Sequence, residues 1–362
     1  MKFLRLAFYV LIAQLVLSGC AGEAVEETSS SSSSEINFDA YVGRNASTRS
    51  TNVTDMTFLR GGKWNAGFGV FARYNHISLL DTEHVTWNKD QNHWEYTNTR
   101  YWPSEGTVDF YAFSPYLEVV KMGCLPDSLK NPDSNSKEAT YIMFPSNESP
   151  VDLIWANQTG QKAPTSPDSK VTFQFKHALA RLSFDITANQ ELLEDGAVIT
   201  VKEVRLYGAS ETSGIFRMAG FLNLNTGDWR PFNNGYSWFY TWTPTGKVDG
   251  KDDEQLKKDG PVYKLSASQL DDKTHSITND ADSYIFIIPQ PKPANFNLKI
   301  TYTVKQGDFQ EDVTVKKSLR EFFPDRDPFI EGGKAYVFHL KLLDPINFDV
   351  SADVNPWGKD DQ

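Results

Sequence analysis

The sequence predicts an all-β protein built from antiparallel β-sandwiches, and three observations support this. Apolar and polar residues alternate with a period of two through much of the chain, as they do in strands that face a core on one side. Aromatic residues make up 13% of the 362 residues, and this composition is typical of β structure. Long stretches of helical periodicity are almost absent. Short strands separated by turns are typical of sandwiches, and the length suits about two domains.

The alternation is clearest in a few segments. Apolar residues occupy every second position in 36–42, 298–304 and 336–342, which predicts a strand in each. In 171–186 the apolar phase shifts by one residue near His177, and such a shift predicts a β-bulge. The ring of His177 would then bond to backbone groups that the bulge leaves free, which is a structural role.

The first 19 residues have the pattern of a signal peptide. Lys2 and Arg5 precede an apolar run, 7–17, which is too short to span a bilayer and has the length of a secretory signal. The stretch Leu-Ser-Gly-Cys that ends at Cys20 resembles a bacterial lipobox, which implies lipidation of Cys20 and an anchor in the outer membrane. An ordinary secretory signal, in which Cys20 is incidental, is the alternative.

Composition divides the rest of the chain into a tether and two domains. Residues 20–35 contain an unbroken run of serines that cannot bury apolar area, so they should form a flexible tether. A polar loop at 193–196 places the junction between an N-terminal sandwich, 36–190, and a C-terminal sandwich, 191–362. A second loop, 162–168, is an alternative junction.

Several classes of function are excluded or disfavoured. A net charge of -11 argues against a nucleic-acid partner. Two cysteines are too few for a disulfide framework or a cysteine zinc cluster. The Gly67–Ala72 stretch has the spacing of a dinucleotide motif, but it is aromatic and no helix follows. His76, His84 and His93 have the spacing of no known metal motif. The sequence therefore predicts no enzyme, no cofactor and no metal site.

An aromatic cluster leaves two interpretations open. It consists of Trp87, Trp94, Tyr96, Tyr101 and Trp102. These rings could form a platform on which sugars stack, which would suit a surface glycan-binding protein. Alternatively, they are cross-strand pairs that stabilise a sandwich, and this is the simpler explanation.

A series of stretches occurs in a recognisable order: 36–41, 68–72, 101–103, 108–112, 152–156, 175–182, 288–290, 333–336 and 354–357. In this order they resemble the fimbrillin family, the type V pilins and their minor subunits. The resemblance implies two consecutive transthyretin-like β-sandwich domains. It also implies export as a lipoprotein, cleavage after an arginine by a trypsin-like protease at the outer surface, and polymerisation by donor-strand exchange.

Two arginines fit the cleavage that the resemblance implies. Arg44 and Arg49 follow the first strand in a stretch rich in Asn, Ser and Thr, which should be accessible to a protease. Arg49 is the better fit and Arg44 is second. Cleavage would release a displaced strand whose inward-facing residues are Ile36, Phe38, Ala40 and Val42. The sandwich would keep an apolar groove beside unpaired backbone groups.

The candidate donor strand lies at the other end of the chain. Its apolar positions alternate strictly with polar ones and are Ile346, Phe348, Val350, Ala352 and Val354. The sequence Ile-Asn-Phe-Asp occurs at both 36–39 and 346–349, on the strand to be lost and on the strand that would replace it. The alternative is that 346–354 is simply the last strand of its own subunit.

These observations predict a structural subunit or adhesin of type V-like fimbriae, first a surface-exposed outer-membrane lipoprotein and then part of the fimbrium. The predicted partners are other fimbrial subunits, the outer membrane through the lipid anchor, the arginine-specific protease and a receptor on a host or bacterial surface. Shaft, tip and anchor roles remain open. The alternative function is a monomeric glycan-binding lipoprotein that keeps its first strand.

Overall fold

The computed structural model describes a chain in which strands dominate. The described residues are 34–43, 54–63, 65–75, 77–116, 141–145, 152–194, 196–217, 219–231, 239–248, 262–278, 284–323, 328–344 and 347–357. Within these ranges, none of the helices has the length and apolar character needed to cross a bilayer.

The strands are numbered here in chain order. The first part of the chain contains β1 (Phe38–Val42), β2 (Phe68–Tyr74), β3 (Ile77–Asn88), β4 (His93–Glu95), β5 (Val108–Ser114), β6 (Tyr141–Pro145), β7 (Ile154–Gln161), β8 (Val171–His177) and β9 (Ala180–Ala188). The middle contains β10 (Val198–Tyr207), β11 (Ala219–Asn223), β12 (Trp229–Pro231), β13 (Tyr240–Thr243), β14 (Val262–Lys264), β15 (Gln269–Leu270), β16 (His275–Ser276), β17 (Ile285–Ile287) and β18 (Gln290–Pro291). The last part contains β19 (Asn297–Gln306), β20 (Phe309–Ser318), β21 (Phe329–Ile330), β22 (Lys334–Asp344) and β23 (Asn347–Pro356). Short helices are α1 (Met56–Leu59), α2 (Gln190–Leu193) and a 3₁₀ turn (Arg320–Phe322).

A seven-stranded sheet is formed by the first part of the chain. Its strand order is β1-β8-β7-β5-β2-β3-β4, which puts β1 at one end. Alternate residues of β1 and β8 enter the same apolar core because successive side chains of a strand point to opposite faces. In that core the rings of Phe38 and Phe173 stack at 5.8 Å between centroids, and the ring of Phe110 meets Phe38 edge-on.

Two further sheets enclose a second core. One has the order β14-β13-β10-β19-β20 with β15 paired to β10, and the other has the order β16-β9-β22-β23 with β17 paired to β9. Their inward-facing residues meet in a cluster that includes Phe184, Trp242 and Phe338. The rings of Phe184 and Phe338 stack at 5.5 Å. The strictly alternating segments 298–304 and 336–342 lie in β19 and β22, as predicted.

The segment 171–186 does not contain the predicted β-bulge. It consists of two strands in two different sheets: β8 pairs with β1 and β7, whereas β9 pairs with β22. Ala178 and Leu179 connect them, and both are buried. The apolar phase shifts because the chain passes from one core to the other at this point. The predicted boundary at 190/191 falls after β9 and stays a prediction.

A third apolar cluster lies where these two groups of strands meet. It combines Phe71, Tyr111 and Phe113 of the first sheet with Leu222 and Phe286 from later in the chain. A three-stranded sheet of order β12-β11-β6 also joins strands from both parts of the chain. We call this region, between the seven-stranded sheet and the later sheets, the junction.

The all-β fold that the sequence predicts is confirmed. Most strand pairs are antiparallel, but β1 with β8, β9 with β22 and β13 with β14 run parallel. The parallel pairing of β1 was not predicted, and it fixes the direction in which the first strand runs along the sheet.

Candidate functional site

The predicted displaced strand is β1, and it completes the first core. Ile36, Phe38, Ala40 and Val42 are all buried, as their alternation predicts. Between them Tyr41 points outward and is 51% exposed. Each residue from Phe38 to Val42 lies opposite a residue of β8 from Val171 to Phe175. The strand therefore contributes both side chains and backbone hydrogen bonds, and one end of the sheet depends on it.

The residues just before β1 are held by a loop at 96–102. The backbone NH of Ile36 donates to the carbonyl of Arg100 at 2.8 Å, and the hydroxyl of Tyr96 donates to the carbonyl of Ile36 at 2.7 Å. Burial is the main cause that raises the pKa of Tyr96 above its ordinary value of 10.0. The hydroxyl thus stays a neutral donor, and it fixes where the strand begins.

The predicted cleavage residues lie outside the described residues, but both flanks are described. Gly43 ends the segment before them, and Thr54 begins the segment after them. The backbone NH of Thr54 donates to a carboxylate oxygen of Asp152 at 2.9 Å, and its hydroxyl donates to the carbonyl of Asp152 at 2.5 Å. Asp152 therefore holds Thr54, the first described residue after Arg44 and Arg49. The predicted lipidation residue, Cys20, also lies outside the described residues.

Asp152 connects this segment to the end of the chain through His177. The carboxylate of Asp152 is fully buried, and Nδ1 of His177 lies 3.0 Å from it. The His177 ring stacks in parallel on the indole of Trp357 at 4.0 Å. The predicted role of His177 in binding free backbone groups is therefore wrong, because its partners are a carboxylate and an aromatic ring.

The indole of Trp357 occupies a defined slot at the junction. Its ring lies between His177 on one side and Phe286, at 5.4 Å, on the other. The guanidinium carbon of Arg181 is 5.8 Å from the ring centroid. The backbone NH of Trp357 donates to the carbonyl of Gly333 at 2.7 Å. Two ring stacks, a contact with a cation and a backbone hydrogen bond thus fix the residue that follows β23.

A cavity of about 700 Å³ opens beside this slot. Its wall includes Val42 and Gly43 at the end of β1, and Pro356 and Trp357 at the end of β23. The side chains of Trp155, Lys176 and Trp229 also line it. The ends of the two strands that the sequence singles out therefore meet at one cavity, although they are more than 300 residues apart in sequence.

The predicted donor strand is β23, and it forms a hairpin with β22 in the same chain. Phe348 and Val350 are buried in the second core, whereas Ala352 and Val354 are half-buried. Ile346 lies outside the described residues. β23 stands at the end of its sheet order, as β1 does in the first sheet.

His339 ties β23 to two neighbouring strands on the outer face of the sheet. Its Nδ1 lies 2.7 Å from the carboxylate of Asp185 on β9, and its Nε2 lies 3.2 Å from the carboxylate of Asp353 on β23. Burial raises the pKa of Asp185 above its ordinary value, and the nearby His339 partly offsets this rise. The contact with Asp353 is on the exposed side, so it contributes little to holding β23.

Two rings of the aromatic cluster belong to the core. Trp94 is 4% exposed and Trp102 is 5% exposed, so neither ring offers a face for stacking, whereas Tyr101 is 51% exposed. The rings of Trp87 and Trp94 meet edge-on at 5.1 Å, and Trp102 meets Phe110 at 5.5 Å. Packing within the sandwich therefore accounts for Trp94 and Trp102, and the glycan-binding alternative loses these two rings.

The histidines of the same region have ordinary roles. Nε2 of His84 lies 2.6 Å from the carbonyl of Ala66, and its ring stacks on Tyr116 at 3.8 Å. His93 lies 3.9 Å from Glu95 on the surface. His76 falls outside the described residues. The Gly67–Ala72 stretch runs into β2, where Gly69 leaves room for the ring of Phe113.

Comparison with known proteins now identifies the kind of molecule. The profile of the family described as fimbrillin-like matches residues 48–357. The chain belongs to the fimbrillin-like family. A fimbrial protein from Bacteroides vulgatus has the same fold: the TM-score is 0.58 at 18% sequence identity, over 90% of this chain and 99% of that chain. The tip fimbrial protein Mfa3 from Porphyromonas gingivalis, with a C-terminal truncation, matches at 9% identity and a TM-score of 0.36, over 80% of this chain and 93% of that chain. No curated protein sequence matches the chain.

Membership of this family sets the broad function. A fimbrillin-like protein is a fimbrial protein of the cell surface and not an enzyme. The family also indicates assembly with other fimbrial subunits. The residues that matter for such a protein are those that take part in assembly, and the two end strands and the junction are the candidates.

Sequence reasoning missed the contacts at the junction. Asp152, His177 and Trp357 each stand in a stretch that carried the resemblance, but no local pattern shows that they meet. The signals that could have pointed to them were a buried-type Asp before an apolar strand and a Trp just after the last alternating segment.

Proposed function

We propose that this fimbrillin-like protein is a structural subunit or adhesin of type V-like fimbriae that assembles by donor-strand exchange. The chain is exported as a lipoprotein anchored through Cys20 and reaches the outer surface. An arginine-specific, trypsin-like protease cuts after Arg49 or Arg44. The cut removes β1, and the C-terminal strand of a neighbouring subunit takes its place.

The observation that carries this proposal is a match between the two end strands. The first segment buries Ile36 and, from β1, Phe38, Ala40 and Val42. The corresponding apolar positions in the sequence of the C-terminal segment are Ile346, Phe348, Val350 and Ala352. Each set contains one Ile, one Phe, one Ala and one Val. A strand that replaces β1 in this register would therefore fill the groove with the same total side-chain volume, which packed cores tolerate well.

A local backbone feature supports the same alignment. In β1, a carboxylate oxygen of Asp39 accepts from the backbone NH of Ala40 at 2.8 Å. In β23, a carboxylate oxygen of Asp349 accepts from the backbone NH of Val350, also at 2.8 Å. The two strands thus share this hydrogen bond as well as the Phe-Asp sequence, although one pairs with a parallel strand and the other with an antiparallel strand.

Loss of β1 would leave the first core in an unfavourable state. The rings of Phe173 and Phe110 would lose the ring of Phe38, which now contacts both. The backbone of β8 would lose the strand that pairs with it from Val171 to Phe175. Exposed apolar side chains and unpaired backbone groups both favour the addition of a new strand.

The test is conversion of monomers into polymers by a single cut. The mature chain, residues 20–362, is treated with an arginine-specific protease and run unheated on denaturing gels. We expect cleavage after Arg49 or Arg44 and a ladder of species that collapses to monomers on boiling. N-terminal sequencing of the ladder identifies which of the two arginines is cut.

Two variants make this test specific. The double variant Arg44→Lys/Arg49→Lys keeps the charge and should remain uncut and monomeric. Arg60→Lys is the matched control, because Arg60 is an exposed arginine outside the predicted cleavage segment, with its guanidinium over the ring of Trp87 at 4.3 Å. It should form the wild-type ladder. Complete cleavage at Arg49 that leaves only monomers would contradict the proposal.

A further inference from the structure

A donor strand with the length of β1 would end at the edge of the junction cavity and leave the cavity itself unfilled. β1 ends at Val42, and Gly43 is the last described residue before the predicted cleavage segment. Both residues line the cavity. A strand that enters in place of β1 and runs in the same direction therefore points its C-terminal end into this space.

The register that the Ile-Asn-Phe-Asp repeat gives places specific residues there. When Phe348 takes the position of Phe38, Ala352 takes that of Val42 and Asp353 takes that of Gly43. Val42 lies opposite Phe175 in β8, so the next donor residue, Asp353, comes beside Lys176, which is exposed in the cavity wall. An acidic donor residue thus meets a basic acceptor residue at the entrance.

The next four residues of the donor lead from this point to Trp357. At about 3.3 Å per residue they extend about 13 Å, a distance comparable with the width of a cavity of about 700 Å³. The slot between His177 and Phe286 opens on the same cavity and already accommodates an indole, that of Trp357 in the same chain. When a subunit donates its own β23, its Trp357 leaves this slot.

We propose that the junction cavity is the second half of the acceptor site, and that the slot beside His177 exchanges the Trp357 of its own chain for the Trp357 of the neighbouring subunit during assembly. This inference rests on the proposed function and adds a register and an anchor to it. The partner is a second copy of this chain, or a subunit that carries the same aromatic end. The incoming Trp357, which we call the aromatic anchor, restores the stack on His177, so that the contacts of His177 with Asp152 and of Asp152 with Thr54 are kept.

The experiment uses a photo-cross-linking residue at the donor's end. Trp357→benzoylphenylalanine chains with natural and heavy nitrogen are mixed, cleaved, assembled and irradiated, and the cross-linked peptides are analysed by mass spectrometry. In uncleaved monomers we expect cross-links of a single isotope to the peptide that contains Lys176 and His177. In polymers we expect the same peptide to appear in mixed-isotope cross-links.

A second position separates failure of this inference from failure of donor-strand exchange itself. The second variant is Asp349→benzoylphenylalanine. Asp349 lies on the exposed side of β23 and, in the proposed register, comes beside Thr172 of β8. Mixed-isotope cross-links from position 349 to β8, with none from position 357 to the junction, would overturn the anchor and leave donor-strand exchange standing. Mixed-isotope cross-links from neither position would overturn both.

Substitution of the indole gives an independent readout. An aromatic stack contributes about 1.4 kcal/mol, or about tenfold in stability, so polymers of Trp357→Ala should dissociate in mild denaturant about tenfold faster than wild type. Polymers of Trp357→Phe should dissociate almost as slowly as wild type, because phenylalanine keeps a ring in the slot. Phe309→Ala is the control, since Phe309 is 56% exposed at the turn between β19 and β20. Equal dissociation of Trp357→Ala and wild-type polymers would overturn the anchor.

Discussion

The first and last strands of this protein carry nearly the same residues but are held in different ways. β1 has five residues paired with β8, and its inward-facing side chains are all buried. β23 has ten paired positions with β22, but its inward-facing side chains become half-buried from Ala352 onward. Side-chain packing therefore holds β1, whereas backbone pairing contributes more to holding β23. Removal of β1 would expose a groove that only closely matching side chains can fill. β23 can separate from β22 starting at its C-terminal end, where its side chains are half-buried.

The largest expected effect is on the stability of the uncleaved chain. Phe38 contacts the rings of Tyr96, Phe110 and Phe173, whereas Phe348 lies beside the ammonium group of Lys317 at 5.3 Å. Phe38→Ala should lower the free energy of unfolding by about 3 to 5 kcal/mol, because it leaves a cavity among rings that cannot close it. Phe348→Ala should lower it by about 2 to 3 kcal/mol, because the flexible side chain of Lys317 beside the ring can move to fill part of the cavity.

Equilibrium urea unfolding of both variants measures this difference. The chain should be studied uncleaved, so that β1 and β23 both remain in place. A loss for Phe348→Ala as large as that for Phe38→Ala would contradict the view that packing holds β1 more firmly than β23.

A smaller effect tests whether the β1 groove accepts the side-chain order of the donor. Ala40→Val places the larger donor side chain in a packed position and should cost about 1 to 3 kcal/mol. Adding Val42→Ala gives β1 the donor's order of side chains, with Val at position 40 and Ala at position 42. The volume that Ala40→Val adds is then removed at the neighbouring inward-facing position. The double variant should therefore return to within about 1 kcal/mol of wild type.

Thermal and urea unfolding of the two single variants and the double variant measure these changes in the free energy of unfolding. Val42→Ala alone is the control and should be destabilised by its own cavity. If the double variant loses the sum of the two single losses, the groove does not accept the donor's order and the proposed register is wrong.

The smallest effect concerns a third end strand, β20, which pairs with β19 at ten positions and carries a surface ion pair. Glu211 accepts hydrogen bonds from Lys299 on β19 and forms an ion pair with Lys316 on β20. These lysines lower its pKa from 4.5 to about 2. A lowered pKa contributes stability above the ordinary value, and this contribution disappears as the pH falls from about 4.5 to about 2.

Glu211→Gln should thus lower the stability slightly at neutral pH. Because the ion pairs are on the surface, the loss should be less than about 1 kcal/mol. The wild-type and variant curves should converge as the pH approaches 2. Glu311→Gln, which removes another negative charge associated with β20, is the control. A loss for Glu211→Gln that persists unchanged at low pH would assign the effect to packing instead.

Much of the fold could be predicted from the sequence because strand periodicity is a local property. The segments 36–42, 298–304 and 336–342 each alternate, and each forms a strand. The phase shift near His177 was visible too, but a bulge and a passage between two sheets give the same pattern. Only long-range pairing distinguishes them, since β9 pairs with β22 more than 150 residues later.

The candidate site could be predicted only where it is local. Repetition of Ile-Asn-Phe-Asp is visible in the sequence, so the two end strands could be identified. The contacts among Asp152, His177 and Trp357 join segments that are far apart, and no local pattern encodes them. The sequence also could not decide whether the aromatic residues are buried. Trp94 would have the same neighbours in sequence whether its ring lay in the core or on the surface.

The direct passage from β8 to β9 has a mechanical consequence. In a polymer of the proposed kind, a pull on the incoming strand is applied lengthwise along β8, so the hydrogen bonds between the two are sheared together rather than opened one by one. From β8 the tension crosses only Ala178 and Leu179 before it reaches β9, and β9 passes it to β22, from which the outgoing strand continues. Among the described residues from β8 to β9, no long linker interrupts this route. A fibre made of such units would resist stretching at each joint and through each subunit.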